Sequence, residues 1–333
     1  MTRPAPQPRL KLRLLAAILG LGALALAPAV RAQDGGYPAK PVRVIVPFPA
    51  GGLVDGITRT LMIEISKAIG QTVVIDNRGG ASGSVGAAAA AQAPADGYTL
   101  LMVLDTHAIN PLVYKKLPYD TDKDFAPISL VAKAPMVIVA NAGLPANSVT
   151  ELVQYARANP GVINFGSVGA GSASHLTAEL FNMKANIATT HVPYKGGAPA
   201  QTDLMAGQIQ IMWGTAPYAQ SLVKAGKVKA LGQASATRSV AFPALPTLAE
   251  QGVAGFEAYG WIGLLAPAGT PASVIAFWNQ QIAKTLKQPA VAQRLTDQGF
   301  ELVAGSPDQF AAFIRDEQKT WEKLIAAKNI PLQ

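Results

Sequence analysis

An apolar run, VRVIVPF (42–48), leads into Gly51 and Gly52 and then into a helix-forming segment, DGITRTLMIEISKAIG. The first amides of a helix lack intrahelical acceptors and sit at the positive end of its dipole, so a glycine pair placed there lets an anion approach the backbone closely. Asp55, just beyond the pair, is suited to capping the helix or holding the loop. A second stretch, NFGSVGAGSASHLTAELF (164–181), repeats the order strand, small-residue loop, helix, and adds the hydroxyls of Ser167, Ser172 and Ser174. Two donor-rich helix starts on opposite sides would close on one acidic ligand. A third glycine pair, in YKGGAPA (194–200), again precedes a helix. Neither G-x-G-x-x-G nor G-x-x-x-x-G-K-[ST] is present at the first stretch, which disfavours a nucleotide.

Catalytic readings find less support. His107, His175 and His191 are the only histidines, and none has a short metal-ligand spacing. His175 and Glu179 share a helix face, where a surface hydrogen bond is the expectation. No G-x-S-x-G elbow occurs, so a triad of Ser172, His175 and Asp203 is left open without a local signature. Trp213 ends IQIMW and either lines a pocket wall at a strand end or fills the core. The expectation is a binding protein that is not an enzyme, with no metal and no cofactor.

These loops need a scaffold, and the pattern supplies one. Short β-branched runs such as TVVIDN (72–77), YTLLMVL (98–104), APISLVA (126–132), MVIVAN (136–141), HVPY (191–194), VKALGQAS (228–235) and WIGLLAP (261–267) alternate with helix-length segments. Alternation of this kind predicts parallel α/β sheets covered on both faces. Ser148 with Glu151 predicts a capping box opening the helix VTELVQYARA. From Pro271 onward the chain is mostly helical, and that set must pack on an earlier sheet. The chain is expected to leave a first domain near residue 130, build a second, and return near 260.

The 333 residues are half apolar and 14% charged, as in a folded globular protein. Arg3, Arg9, Lys11 and Arg13, the apolar run LLAAILGLGALALA (14–27) and the small-residue pattern VRA (30–32) read as a secretory signal, residues 1–32, cut before Gln33. That leader holds five of the basic residues and no acid, so the net charge of +8 falls to +3 without it. No basic cluster with interleaved aromatics remains, which argues against nucleic acid. The chain has no cysteine, so neither disulfides nor a lipid anchor are available, and the mature protein is expected to be soluble and exported.

The segments YPAKPVRVIVPFPAGGLVDGITR, VVIDNRGGASGSVGAAAAAQAPADGYTLL, HAINPLVYKKLPYDTDKDFAPISLVA, NFGSVGAGSASHLTAELF and HVPYKGGAPAQTDLMAGQIQIMW, in this order, resemble the periplasmic substrate-binding proteins of tripartite tricarboxylate transporters, the Bug receptors. The resemblance covers nearly the whole mature chain. It implies a type II periplasmic-binding-protein (Venus flytrap) fold: two α/β lobes joined by crossover strands, with the ligand cleft between them. The lobes would be 37–132 with 256–333, and 133–255, hinged near 125–135 and 255–266. It implies a periplasmic monomer that binds a small carboxylate and delivers it to membrane permease subunits, or, alternatively, reports it to a membrane signalling kinase. Carried over, carboxylate contact falls on Ala50, Gly51 and Gly52, with Phe48 and Pro49 shaping the wall, and on Ser167, Gly169, Gly171, Ser172 and His175. Asp203 takes a loop-orienting role. The sequence departs from the family at VLDTHAINP, where Asp105, followed by Thr106 and His107, ends the third strand. Either Asp105 faces the cleft and favours a zwitterionic, nitrogen-bearing or neutral ligand, or it turns away toward Thr106. Trp213 stands where many relatives carry phenylalanine.

Overall fold

The computed structural model describes residues 1, 2 and 36–332, so the leader and its cleavage site lie outside the described residues. Three parallel strands open the fold: β1 (Val42–Val46), β2 (Val73–Asn77) and β3 (Thr99–Leu104). They are joined by α1 (Leu53–Ile69) and α2 (Ser84–Ala91). Helix α1 buries Val54, Ile57, Leu61 and Ile65, an apolar stripe at helical spacing, and stops at Gly70, whose φ of 66° suits glycine.

A short helix, α3 (Thr106–Val113), follows β3 directly, although DTHAINP did not read as helical. The 17-residue strand β4 (Phe125–Asn141) then crosses the molecule. The sequence suggested two strands here, broken at Lys133-Ala134-Pro135. Pro135 is accommodated because β4 changes neighbours at that point, and register shifts relieve the ladder near Pro127 and again near Val131.

The second half repeats the plan. Strands β5 (Asn164–Ser167), β6 (Thr190–Pro193) and β7 (Ile211–Thr215) are mutually parallel, with α4 (Val149–Ala158) before them, α5 (Ala173–Ala185) and α6 (Gly197–Ala206) between them and α7 (Ala216–Lys224) after them. Ser148 caps α4 by accepting the Glu151 amide, but the Glu151 carboxylate reaches back to the Asn147 amide, one residue beyond the expected box. Strand β8 (Val228–Gln233) adds antiparallel to β4, and β9 (Tyr259–Pro267) returns antiparallel between β3 and β4. The chain ends in α8 (Ala272–Leu286), α9 (Pro289–Asp297), the two-residue β10 (Glu301–Leu302) paired to β4, and α10 (Pro307–Lys328).

The main path across the strands runs β2-β1-β3-β9-β4-β7-β5-β6. Residues 125–135 of β4 pair with β9, and residues 136–140 pair with β7, so one strand belongs to two sheets in turn. Three apolar clusters fill the space around them. One joins β1, β3 and β9 to Phe310 and Ile314 of α10; a second lies on one face of β4, β7 and β5 with Phe181, Phe256 and Trp321; a third covers the opposite face with Leu204, Ala219 and Leu222. Helix α10 therefore contributes to the packing of both sheets.

Candidate functional site

The sheet junction fixes where the loops meet. Strand β3 ends at Leu104 opposite Ile262 of β9, and β7 ends at Thr215 opposite Met136 of β4. Between them, Gly260 of β9 pairs with Ala134 of β4. A side chain at Gly260 would lie 2.5 Å from the Thr215 methyl and 3.4 Å from Asp105 Oδ2, so both groups reach over that glycine. The ladder pairs Ile45 of β1 with Leu101 of β3 and Gly166 of β5 with Met212 of β7, and carrying each register onward brings Phe48 toward the level of Leu104 and Gly169 toward that of Thr215. Each step across a sheet is about 4.8 Å, so the loops after β1 and β5 flank the junction from opposite sides. The carboxyl ends of parallel strands at such a point are where open α/β folds bind ligands.

Asp55 organises the first loop. Its Oδ2 accepts the Gly51 amide at 2.9 Å and the Arg59 guanidinium at 2.9 Å, and its Oδ1 accepts the Asn77 side-chain amide at 3.0 Å. The same Asn77 nitrogen donates to the Phe48 carbonyl at 3.0 Å, tying β2 to the loop. Hydrogen bonding from Arg59, more than its charge alone, holds the Asp55 carboxyl down at about 2, overcoming burial. Gly51 adopts φ 80°, and its N–H is therefore committed to Asp55. The donors left at the head of α1 are the first-turn amides, Leu53 and Val54, which have no intrahelical acceptor.

The segment after β2 was missed as part of this site. Gly86 lies so close to Pro47 that a side chain there would clash, and Gly79 and Gly83 pack tightly against Pro49 and the Phe48 ring, so NRGGASGSVG buttresses the β1 loop. Ala81 and Ser82 both hold positive φ, 44° and 53°, and Asn110 braces the turn by donating to the Ser82 carbonyl at 3.1 Å. The glycine density of that stretch was the available signal.

The second loop is saturated from within. Ser172 caps α5 by accepting the His175 amide, and its hydroxyl donates to the Gly169 carbonyl at 2.6 Å. Ser174 accepts the Val168 amide at 3.2 Å, and Ser167 accepts the Gly169 amide at 3.2 Å. The Gly171 amide donates to His175 Nδ1 at 3.0 Å, which places the proton of the neutral ring on Nε2. His191 Nε2 meets Ser167 Oγ at 2.6 Å, and the two imidazoles stack with centroids 3.8 Å apart.

Burial lowers both rings to about 4, His191 also through repulsion from His175. The unfolded chain takes up protons near pH 6.5 that the folded chain refuses until about pH 4. Stability is thus expected to fall as pH drops through that window and to level off below it. A His191→Phe protein, which keeps the stack with Phe165, should show a shallower acid decline in melting temperature.

The remaining predicted residues divide. Asp203 Oδ2 accepts the Tyr194 hydroxyl at 2.7 Å, and the Tyr194 amide donates to the Ser167 carbonyl, so Asp203 orients the β6 loop through a tyrosine. This also dismantles the Ser172–His175–Asp203 combination: the serine is a helix cap, the ring nitrogen serves a backbone amide, and the acid holds Tyr194. Glu179 pairs with Lys328 at 3.3 Å rather than with His175. Trp213 is wholly buried against Phe181 and Phe256, which places it in the core rather than on a wall, because its strand face points into the cluster under α5. His107 is buried beside Tyr119 and Phe125, one residue past the start of α3, so it faces away from the junction side taken by Asp105. Thr106 opens α3 and keeps partial exposure. Among the described residues no cluster of three or more His, Cys, Asp or Glu is arranged for a metal, and no helix is long and apolar enough to cross a membrane.

Asp105 occupies the N-cap position of α3 but makes no side-chain cap bond. It retains some solvent access deep in the junction. Burial first, and then the nearby Glu317 carboxylate, push its carboxyl up to about 7, with the Thr106 amide giving a partial offset. Glu317 itself accepts the indole N–H groups of Trp261 and Trp321 at 3.3 and 3.2 Å, and its own pKa is raised by burial. Thr215 and Gly260 were not singled out in the sequence, because nothing local marks a residue that matters only where two sheets meet.

Comparison with known proteins follows the same lines. The family model of the tripartite tricarboxylate transporter family receptor matches residues 57–330. Protein BugT of Bordetella pertussis is 36% identical over 93% of this chain and 96% of its own length. The R. palustris protein Rpa4515, solved with adipate, is 35% identical with a TM-score of 0.81, covering 90% of this chain and 100% of that one. MatC (Rpa3494) from Rhodopseudomonas palustris, solved with bound malate, is 33% identical with a TM-score of 0.75, covering 87% of this chain and 100% of that one. The architecture is that of the periplasmic binding proteins, and the chain belongs to the tripartite tricarboxylate transporter receptor family.

Proposed function

We propose that this receptor captures a small organic carboxylate at the β3–β7 junction and presents it, without chemical change, to the membrane permease of a tripartite tricarboxylate transporter. The observation that supports the reading is the parallel register, in which β1 neighbours β3 and β5 neighbours β7, so that a helix start from each sheet follows a strand adjacent to one whose end borders Gly260. The two relatives solved with adipate and malate support a carboxylate ligand, and the family supports the permease partner. Contact falls on the amides of Ala50, Leu53 and Val54 from one side, the Gly52 amide being held by the Pro49 carbonyl, and from the other on the first-turn amides of α5, Ala173 and Ser174, which the internally bonded Ser167–Ser172 loop presents. Phe48 forms a wall, and Asp55, His175 and Asp203 hold these loops in place. The lobes are 37–132 with 256–333, and 133–255. Closure bends β4 and β9 near Pro135, where β4 changes sheets. Export relies on a leader cleaved before Gln33, and the mature protein acts as a monomer in the periplasm.

A thermal-shift screen of the mature protein against dicarboxylates, tricarboxylates, aromatic acids and amino acids tests this. A ligand at a hundredfold excess over its Kd adds about 2.7 kcal/mol of stability, or roughly 4–8 °C in melting temperature. Shifts produced by neutral or cationic compounds alone, with none from any acid, would remove the carboxylate reading.

A further inference from the structure

We propose that Asp105 makes this receptor select ligands that carry a cationic nitrogen as well as a carboxylate. The inference deepens the carboxylate reading above and rests on it. Asp105 is the acidic side chain that reaches over Gly260, between the two donor-rich loops. Among the described residues it forms no ion pair.

Among the described residues, the groups around it include no cation that pairs with it. From β9 the bare backbone of Gly260 leaves room for it, and the methyl of Thr215 from β7 also borders that space. From α10 the charged neighbour is another carboxylate, Glu317, whose Oε2 is already occupied by two indoles. On its own element, His107 is turned into the Tyr119–Phe125 aromatic cluster. Lys133 of β4, adjacent in the ladder to Ala134, is engaged by Glu301 at 3.4 Å and lies over the Tyr259 ring at 4.0 Å.

Once Asp105 is ionised, above about pH 7, a ligand that placed a second carboxylate here would meet a like charge at short range, with no cation among the described residues to offset it, so binding is compared at pH 8. An ammonium or protonated amine reverses that sign. The ligand then lies with its carboxylate on the loop amides and its nitrogen on Asp105. An α-amino acid, an ω-amino acid or a basic heterocyclic acid has this chemistry.

The test is calorimetric titration of the mature protein with matched pairs sharing a carbon skeleton: aspartate with succinate, glutamate with glutarate, β-alanine with propionate, and 4-(aminomethyl)benzoate with 4-methylbenzoate. The wild type is expected to bind the aminated member of at least one pair tenfold or more tightly than its partner. Asp105→Asn and Asp105→Ser proteins, their folding checked by melting, are expected to lose that preference by tenfold or more while still taking the unaminated acid. Equal or tighter binding of the unaminated acids by the wild type, or a preference that survives in both variants, overturns the role of Asp105 and leaves the carboxylate reading intact. Failure of every acid, aminated or not, to bind the wild type overturns both.

Discussion

An Asp55→Ala protein is expected to lose about 2–3 kcal/mol of stability and to bind its carboxylate ligand roughly a hundredfold more weakly. Three donors, the Gly51 amide, Arg59 and the Asn77 side chain, converge on this one buried carboxylate. Removing it leaves Gly51 without its acceptor, releases Arg59, and cuts the link through Asn77 to the Phe48 carbonyl. The β1 loop would then have to be ordered by the ligand at the ligand's expense, which is the usual cost of lost preorganisation. Because the Asp55 pKa is depressed to about 2, its contribution is present above pH 3.8 and is lost as pH falls through 2. Urea unfolding at pH 7 with calorimetric titration reads both effects. Unchanged affinity in a destabilised variant would show that the loop holds its shape without this anchor.

The opposite sign is expected at Asp105. An Asp105→Asn protein without ligand should be about 2–3 kcal/mol more stable than the wild type above pH 7. The folded-state pKa is raised from 3.8 to about 7, so the folded chain holds a proton that the unfolded chain releases between those values. Wild-type stability therefore declines as pH rises from about 4 to 7 and is flat beyond, as far as this group is concerned. Below pH 3.8 the carboxyl is neutral in both states and the gain from asparagine vanishes. The figure stays below the full shift because the group keeps partial solvent access. Melting temperatures of the two proteins at pH 3.5, 6 and 8 give the answer, and a constant difference across that range would locate the effect in packing instead of charge. A destabilising charge kept at the sheet junction is the kind of conflict between stability and function that binding sites carry.

Much of the fold was legible because its signals are local. Strand alternation, the glycine pair at Gly51 and Gly52, the Ser148 cap and the helical tail all follow from short-range periodicity and capping chemistry, and the structure contains each of them. Two local readings misled for a physical reason. APISLVA and MVIVAN read as two strands, yet β4 runs through Pro135, where its partners change. DTHAINP was assigned no element, yet Pro111 sits within the single short helix α3.

The site shows the same division. The sequence by itself determined the two donor-rich loops, the residues available to line them and the family resemblance that names their use. Only tertiary structure decided that Asp55 claims the Gly51 amide, that Trp213 is core, that Asp203 acts through Tyr194, and that Asp105 and Thr215 both border the space above Gly260. The placements of Trp213 and Asp105 depend on pairings between strands more than forty residues apart, such as β3 with β9 and β4 with β7, whereas the Asp55 and Asp203 contacts depend on how each loop folds back on itself. Side-chain type and spacing along the chain carry information about the nearest turn of helix or strand; which groups share a buried junction is set by sheet register, and register is a property of the packed whole.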